Sequence, residues 1–160
     1  MGRNHDKEMA PSEAVLDFRV PPVPHVARAV RDGVAEFAQA RGVGREDLGH
    51  FLSALGEALA NAIEHSRATE PIAVQVRIDR ESIVATIADN GVGFPVERFA
   101  EPCLPDPGAE RGRGLPIMRR CCDIFSIQSE RDKGTSIVLG RYFQAAAQPL
   151  SMTSKRRQPA

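Results

Sequence analysis

The sequence lacks several features that would by themselves point to a class of function. Among its 160 residues, 21 basic side chains balance 21 acidic ones, so no charge excess predicts nucleic acid or an anionic membrane as the main partner. No apolar run approaches the length of a membrane span. The first residues contain no apolar stretch of the signal-peptide kind. We therefore expect a cytoplasmic protein with no direct contact to nucleic acid or membrane.

Cysteine is also scarce. The three cysteines are Cys103, Cys121 and Cys122, and an odd count with one adjacent pair does not make a disulfide framework. The four histidines are scattered, so they do not form the clustered ligand set of a structural metal site. We predict that Cys121 and Cys122 are small residues in or near the core of a helical segment, without a redox role.

Two common nucleotide-binding signatures are missing as well. Gly91 and Gly93 lack a third glycine at the spacing of the dinucleotide fingerprint, and "DKGTS" places its lysine before the glycine, unlike a P-loop. The sequence also has no internal repeat. A nucleotide site, if the chain has one, must therefore be of another kind.

The hydrophobic pattern predicts one domain over residues 13–143, between a loose arm over residues 1–12 and a disordered tail over residues 144–160. Helical spacing predicts helices over about 25–40 and 45–66 and a short one in "GLPIMRRCCD". Alternation predicts strands over about 13–20, 72–79, 82–89, 124–130 and 135–143. Because the strands form hairpins apart from the helices, we predict an α+β two-layer sandwich, with one mostly antiparallel mixed sheet and helices on one face.

The predicted second helix carries a polar pair on a face of its own. In "GEALANAIEH", Glu57 and Asn61 are four residues apart, so they lie one above the other on the helix. Two interpretations are open. The pair is either solvated, or it is a general base in line with a metal ligand.

Glycine clusters follow later in the chain. In "ADNGVGF", Asp89 ends a strand with a buried pattern, and a buried carboxylate needs a partner, for which an amine on a ligand would serve. Gly91 and Gly93 allow a backbone to approach another group closely. The alternative is a simple Asn-Gly turn.

The next cluster, "RGRGLPIM", opens a helix. Gly112 and Gly114 place backbone amides where a helix start attracts anions, and Arg111 and Arg113 add positive charge. The alternative is a flexible loop end followed by a helix cap.

The last cluster is "KGTSIVL", in which Gly134 and Thr135 open the final strand. In isolation it is typical of a turn glycine followed by a strand threonine.

Together, in this order, the motifs resemble the Bergerat ATP-binding fold, which gyrase, the Hsp-type chaperone ATPases, histidine kinases and mismatch-repair ATPases share. The resemblance covers about residues 13–143. Within that group, "GEALANAIEH" and "GRGLPIM" make the chain similar to the anti-sigma factor serine kinases of the RsbW and SpoIIAB type. One departure is Pro116, which is not the residue expected in the phosphate-binding helix.

The resemblance implies ATP and Mg²⁺ as cofactors and assigns roles to the helix pair and to the first glycine cluster. Asn61 would supply a neutral oxygen to magnesium, and Glu57 would be the general base that accepts the proton of the attacking hydroxyl. Asp89 would accept a hydrogen bond from the adenine amino group. Gly91 and Gly93 would let adenine pack against the backbone.

The same resemblance implies an ATP lid over residues 94–111, and it places Thr135 near adenine. It assigns phosphate binding to the segment that opens the third helix, namely Arg111, Gly112, Arg113, Gly114 and Leu115. His65 matches a histidine that often follows the asparagine in this family, although a polar residue at a helix end explains it equally well.

For activity and partners, the resemblance implies a homodimeric serine/threonine protein kinase. It would phosphorylate a STAS-domain anti-anti-sigma protein and sequester a sigma factor or another regulatory target. Three alternatives stay open from the sequence: an ATP-binding switch without catalysis, a detached histidine kinase catalytic domain, and a scaffold that has lost ATP binding.

Overall fold

The computed structural model describes residues 13–95 and 114–143. In this part of the chain, the α+β prediction is confirmed, and the order of helices and strands is the predicted one. The elements are β1 Ala14–Val20, α1 Val26–Gln39, α2 Arg45–Ala60, β2 Ile72–Ile78, β3 Ser82–Asp89, α3 Gly114–Cys121, β4 Ile124–Glu130 and β5 Gly134–Tyr142.

The five strands form one sheet in the order β1-β2-β3-β5-β4. Each of these four neighbouring pairs is antiparallel. The predicted tight turn between β2 and β3 is present and is held by a side chain. Asp79 Oδ1 accepts hydrogen bonds from the backbone N–H groups of Glu81 and Ser82, at 2.8 and 2.7 Å.

The hydrophobic core lies between the sheet and the helices. Alternate residues of β2 and β3 face it, and α2 contributes the large, fully buried side chains Phe51, Leu55 and Leu59. On α1, Val30 and Val34 are buried, whereas the neighbouring Ala29 is exposed. The buried stripe of α1 follows a row of residues four apart, which continues to Ala38.

The predicted second helix is not a continuous α-helix. After Ala60 it widens into a π-helical turn over Asn61–His65, a one-residue insertion that is often found at functional sites. His65 is exposed at the end of this turn. The π-helical turn therefore starts at Asn61.

The ends of two helices are tied to β5 by one arginine. Arg141 Nε donates to Asp47 Oδ1 in the first turn of α2 at 2.9 Å, and Nη1 donates to the carbonyl of Cys121 at the end of α3 at 3.3 Å. Both carboxylate and guanidinium are mostly buried. The position of α3 on α2 is thereby fixed from its C-terminal end.

The adjacent cysteines pack against the core, as predicted. Burial, helped by the neighbouring Cys121, raises the pKa of the Cys122 thiol to about 11. Near pH 7 the Cys122 thiol is therefore protonated. Because the thiolate is the nucleophilic form, Cys122 is unreactive.

Candidate active site

Glu57 and Asn61 meet at the start of α3. A Cβ atom on Gly114 would lie 3.0 Å from Glu57 Oε2 and 3.5 and 3.6 Å from the two terminal atoms of the Asn61 side chain. Both polar side chains, which are partly buried, therefore converge on one point of backbone. Glu57 and Asn61 are therefore not a solvated pair on an open helix surface, because α3 begins directly against their side chains.

The first turn of α3 is one wall of this site. Gly114 is its first residue and Leu115, half-buried, is its second. The first N–H groups of a helix have no partner within the helix and attract anions, although Pro116 at the third position contributes no N–H. Arg111, Gly112, Arg113 and lid residues 96–111 lie outside the described residues.

A row of three polar side chains ends the inner face of the sheet. In the strand register, Asp89 on β3 lies opposite Thr135 on β5, which lies opposite Ser129 on β4. We call these three residues the polar row. The next row toward the core is entirely apolar and consists of Ile87, Ile137 and Ile127. The inner face thus changes from hydrophobic to hydrogen-bonding at its last row.

Burial raises the pKa of the Asp89 carboxyl above its usual range, against the opposing effect of the backbone N–H groups of Gly91 and Thr135. The Gly91 N–H lies 2.8 Å from Asp89 Oδ1. The folded protein therefore holds a half-buried carboxylate whose charge, among residues 13–95 and 114–143, is stabilised by backbone N–H groups. Such a group is suited to accept a hydrogen bond from a ligand.

Gly91 and Gly93 both approach protein backbone closely, whereas the predicted approach was to a ligand. A Cβ on Gly91 would lie 2.0 Å from the carbonyl oxygen of Ser66, and one on Gly93, where φ is +61°, would lie 2.1 Å from that of Glu130. The Val92 N–H donates to the Ser66 carbonyl at 2.7 Å. These contacts attach the segment after Asp89 to the helix that carries Asn61 and to the β4–β5 hairpin.

Gly91→Ala is expected to lower the free energy of unfolding by about 1–3 kcal/mol, because the added methyl group must displace backbone and no flexible side chain can yield instead. Gly33→Ala is the matched control. Gly33 is exposed in the middle of α1, and an added Cβ would meet no neighbouring group within 4 Å. Gly33→Ala should therefore raise the free energy of unfolding by up to about 1 kcal/mol. Urea unfolding measures the free energy of unfolding of both variants. Equal changes in the two variants would contradict the close packing of Gly91 against the Ser66 backbone.

Sequence reasoning missed two residues of this region, Ser66 and Ser129. Buried Ser66 bonds the carbonyl of Ala62 through its hydroxyl and accepts from the Ala68 N–H at 3.0 Å. Ser129 Oγ accepts from the Phe94 N–H at 2.8 Å and lies 2.9 Å from Thr135 Oγ1. A serine in a strand gives no signal of such a role until the register is known.

The donor set fits magnesium bound together with a nucleotide. In residues 13–95 and 114–143, no group of three or more His, Cys, Asp or Glu side chains could hold a metal ion. Asn61 offers one neutral oxygen beside the anion-attracting start of α3. A hard cation held largely by phosphate oxygens needs no more than one or two such protein ligands.

Comparison with known proteins decides the family. The histidine kinase-like ATPase domain matches residues 20–141. The chain belongs to this family. The Bergerat fold predicted from the motifs is thereby confirmed, and the predicted likeness to anti-sigma factors is confirmed by its relatives.

Its relatives include several anti-sigma F factors. One from Clostridium perfringens is 33% identical over 100 residues, covering 59% of this chain and 71% of the relative. One from Geobacillus kaustophilus is 31% identical over 103 residues, covering 61% and 70%. A solved structure of RsbU and RsbW domains from Mycobacterium tuberculosis shares the fold, with a TM-score of 0.62 and 21% identity over 81% of this chain, which spans 32% of that structure.

A histidine kinase-like ATPase domain implies ATP as the bound nucleotide. The described helices, the longest of which has 16 residues, include none that could span a membrane.

Proposed function

We propose that this protein is an ATP-dependent serine/threonine kinase and anti-sigma factor. It phosphorylates a STAS-domain anti-anti-sigma protein and sequesters a sigma factor, so that phosphorylation state decides which partner is bound. The observation that carries the proposal is the convergence of Glu57 and Asn61 on the start of α3. The anti-sigma F factor relatives support a sigma factor as one partner, and the STAS-domain partner rests on the resemblance to the anti-sigma factor kinases.

The nucleotide would lie between the polar row and the start of α3. Asp89 accepts a hydrogen bond from the adenine amino group, and Thr135 lies beside it on the neighbouring strand. The phosphates extend toward the N–H groups of Gly114 and Leu115, with Gly112 and Arg113 preceding them in the chain. The ATP lid expected over residues 94–111 lies, from residue 96 onward, outside the described residues.

In the transfer step, the serine hydroxyl oxygen of the STAS protein attacks the γ-phosphorus, and the bond from this phosphorus to the β–γ bridging oxygen breaks. ADP leaves with that oxygen, and the hydroxyl proton passes to the Glu57 carboxylate. Mg²⁺, when bound through Asn61 and the phosphates, supplies positive charge that offsets theirs. The contact with Gly114 that Glu57 shares with Asn61 supports this role for the carboxylate.

A purely non-catalytic switch is the second candidate, and the presence of Glu57 at the site favours the kinase over it, because a binder needs no base.

For assembly, we propose a homodimer in the cytoplasm on the strength of the same family likeness.

The test is transfer of the γ-phosphate from labelled ATP to candidate STAS-domain proteins. The kinase predicts a label on a serine or threonine that survives acid. An acid-labile label would instead indicate phosphohistidine and a detached histidine kinase domain. ATP binding with no transfer to any STAS protein would leave the non-catalytic switch as the function.

A further inference from the structure

Ser129 is the residue of the polar row to which the proposed function assigns no task. It lies half-buried on β4, on the same inner face as Ile127 and Phe125. Its hydroxyl contacts three groups: the Phe94 N–H at 2.8 Å, Thr135 Oγ1 at 2.9 Å and the Gly134 carbonyl at 3.3 Å. It therefore joins Phe94, the first residue of the expected lid, to Thr135, the threonine proposed to lie near adenine.

The direction of these hydrogen bonds follows from counting protons. A serine hydroxyl has one proton to donate and two lone pairs to accept with. The Phe94 N–H can only donate to Ser129, and the Gly134 carbonyl can only accept from it. Either oxygen could donate the bond between the two hydroxyls. In the arrangement in which the single proton of Ser129 is donated to the Gly134 carbonyl, that bond takes its proton from Thr135.

Thr135 is then left with lone pairs alone toward the site. Asp89, its neighbour in the polar row, is a carboxylate and is also an acceptor. The two side chains on β3 and β5 therefore offer acceptors only, and the ligand edge that meets them must carry hydrogen-bond donors. An exocyclic amino group satisfies this requirement, whereas a carbonyl oxygen at the same position would face lone pairs.

We propose that Ser129 is a positioning residue that fixes the Thr135 hydroxyl as an acceptor, so that the site selects a purine with an amino group over one with a carbonyl oxygen. This inference rests on the proposed function, since it assumes a nucleotide beside the polar row. It adds a residue that acts through Thr135 and that defines base selectivity in this chain.

The experiment compares ATP with inosine triphosphate, in which a carbonyl oxygen replaces the amino group. Dissociation constants are measured by calorimetry in the presence of magnesium for the wild type and for Ser129→Ala. In the variant, the released Thr135 hydroxyl can turn and donate. The ratio of inosine triphosphate to ATP dissociation constants is expected to fall about threefold to tenfold, the usual size of one hydrogen bond.

Two further variants separate a positioning role of Ser129 from a non-specific structural effect of the substitution. Ser129→Thr keeps the hydroxyl and suits a strand, so it should preserve the wild-type ratio. Ser126→Ala is the matched control, because Ser126 lies on the same strand but is exposed on the other face. Its ratio should not change.

Several outcomes would overturn the inference. One is that Ser129→Ala weakens both nucleotides equally, which is a structural effect without selectivity. Another is that Ser129→Thr loses selectivity as alanine does while its melting temperature stays at the wild-type value. If the wild type binds neither nucleotide, the proposed function fails and the inference fails with it, whereas an unchanged ratio in a protein that binds ATP removes the inference alone.

Discussion

Glu57→Gln is expected to reduce transfer of phosphate to the STAS partner about 10²- to 10⁴-fold, the usual contribution of a general base, with little change in ATP affinity. Glutamine has nearly the same shape and keeps the contact with the start of α3. Its amide cannot take the proton of the attacking hydroxyl. Initial rates at saturating ATP, together with the ATP dissociation constant, separate these two effects.

The matched control for this substitution is Glu36→Gln, which removes a carboxylate from the exposed surface of α1 and should leave the rate unchanged. If Glu57→Gln transferred phosphate at the wild-type rate, another group would be the base, and the role assigned to the helix pair would be wrong.

Asp89→Asn is expected to weaken ATP binding about tenfold to hundredfold, the usual range for losing a hydrogen bond to a charged group, and to leave the fold equally or more stable. Burial raises the pKa of this carboxyl, so its charge opposes folding at neutral pH. Asparagine keeps an oxygen for the Gly91 N–H without that charge. Calorimetry measures the affinity, and thermal unfolding at pH 7 measures the stability.

The pH dependence provides a sharper form of the same prediction. Because the pKa of Asp89 is higher in the folded protein than its ordinary value of 3.8, its stabilising protonated form is fully present below 3.8 and is lost as the pH rises through the folded value. The wild type should therefore lose, relative to Asp89→Asn, some stability as the pH rises above 3.8.

Asp79 is the natural contrast, since it lies at the turn that precedes β3. The N–H of Glu81, followed by the groups of Ser82, lowers its pKa against the effect of burial. The stability that the ionised Asp79 contributes is fully present above pH 3.8 and is lost as the pH falls through its lower pKa in the folded protein. Asp79→Asn should thus destabilise the protein at neutral pH. If Asp79→Asn and Asp89→Asn changed the stability in the same direction at pH 7, the opposite pKa shifts of the two carboxyls would be contradicted.

The fold could be predicted from the sequence to a large extent because its patterns are local. Alternation of apolar and polar residues predicts β2 and β3, and in the structure Ile83, Ala85 and Ile87 form one buried face. The position of Asp89 at the end of β3 and the shared face of Glu57 and Asn61 also follow from element periods alone.

What escaped prediction depends on contacts between distant segments. The π-helical turn after Ala60 lies where Leu55, Leu59 and Ile63 continue an ordinary helical spacing, so the sequence gives no signal of it. The partner of Gly91 is a carbonyl 25 positions earlier in the chain, at Ser66. Ser129 meets Thr135 only because the β4–β5 register places them opposite each other, and no local pattern specifies that pairing.

Magnesium-dependent ATP binding by calorimetry, on the wild type and on Asn61→Ala, tests the central claim most directly. The account predicts that the wild type binds ATP with magnesium and that chelation of the metal, or loss of the Asn61 oxygen, weakens this binding by about tenfold or more. No ATP binding by the wild type would contradict the nucleotide site and the kinase together. Equal affinity of both proteins would contradict the role of Asn61 as the metal ligand.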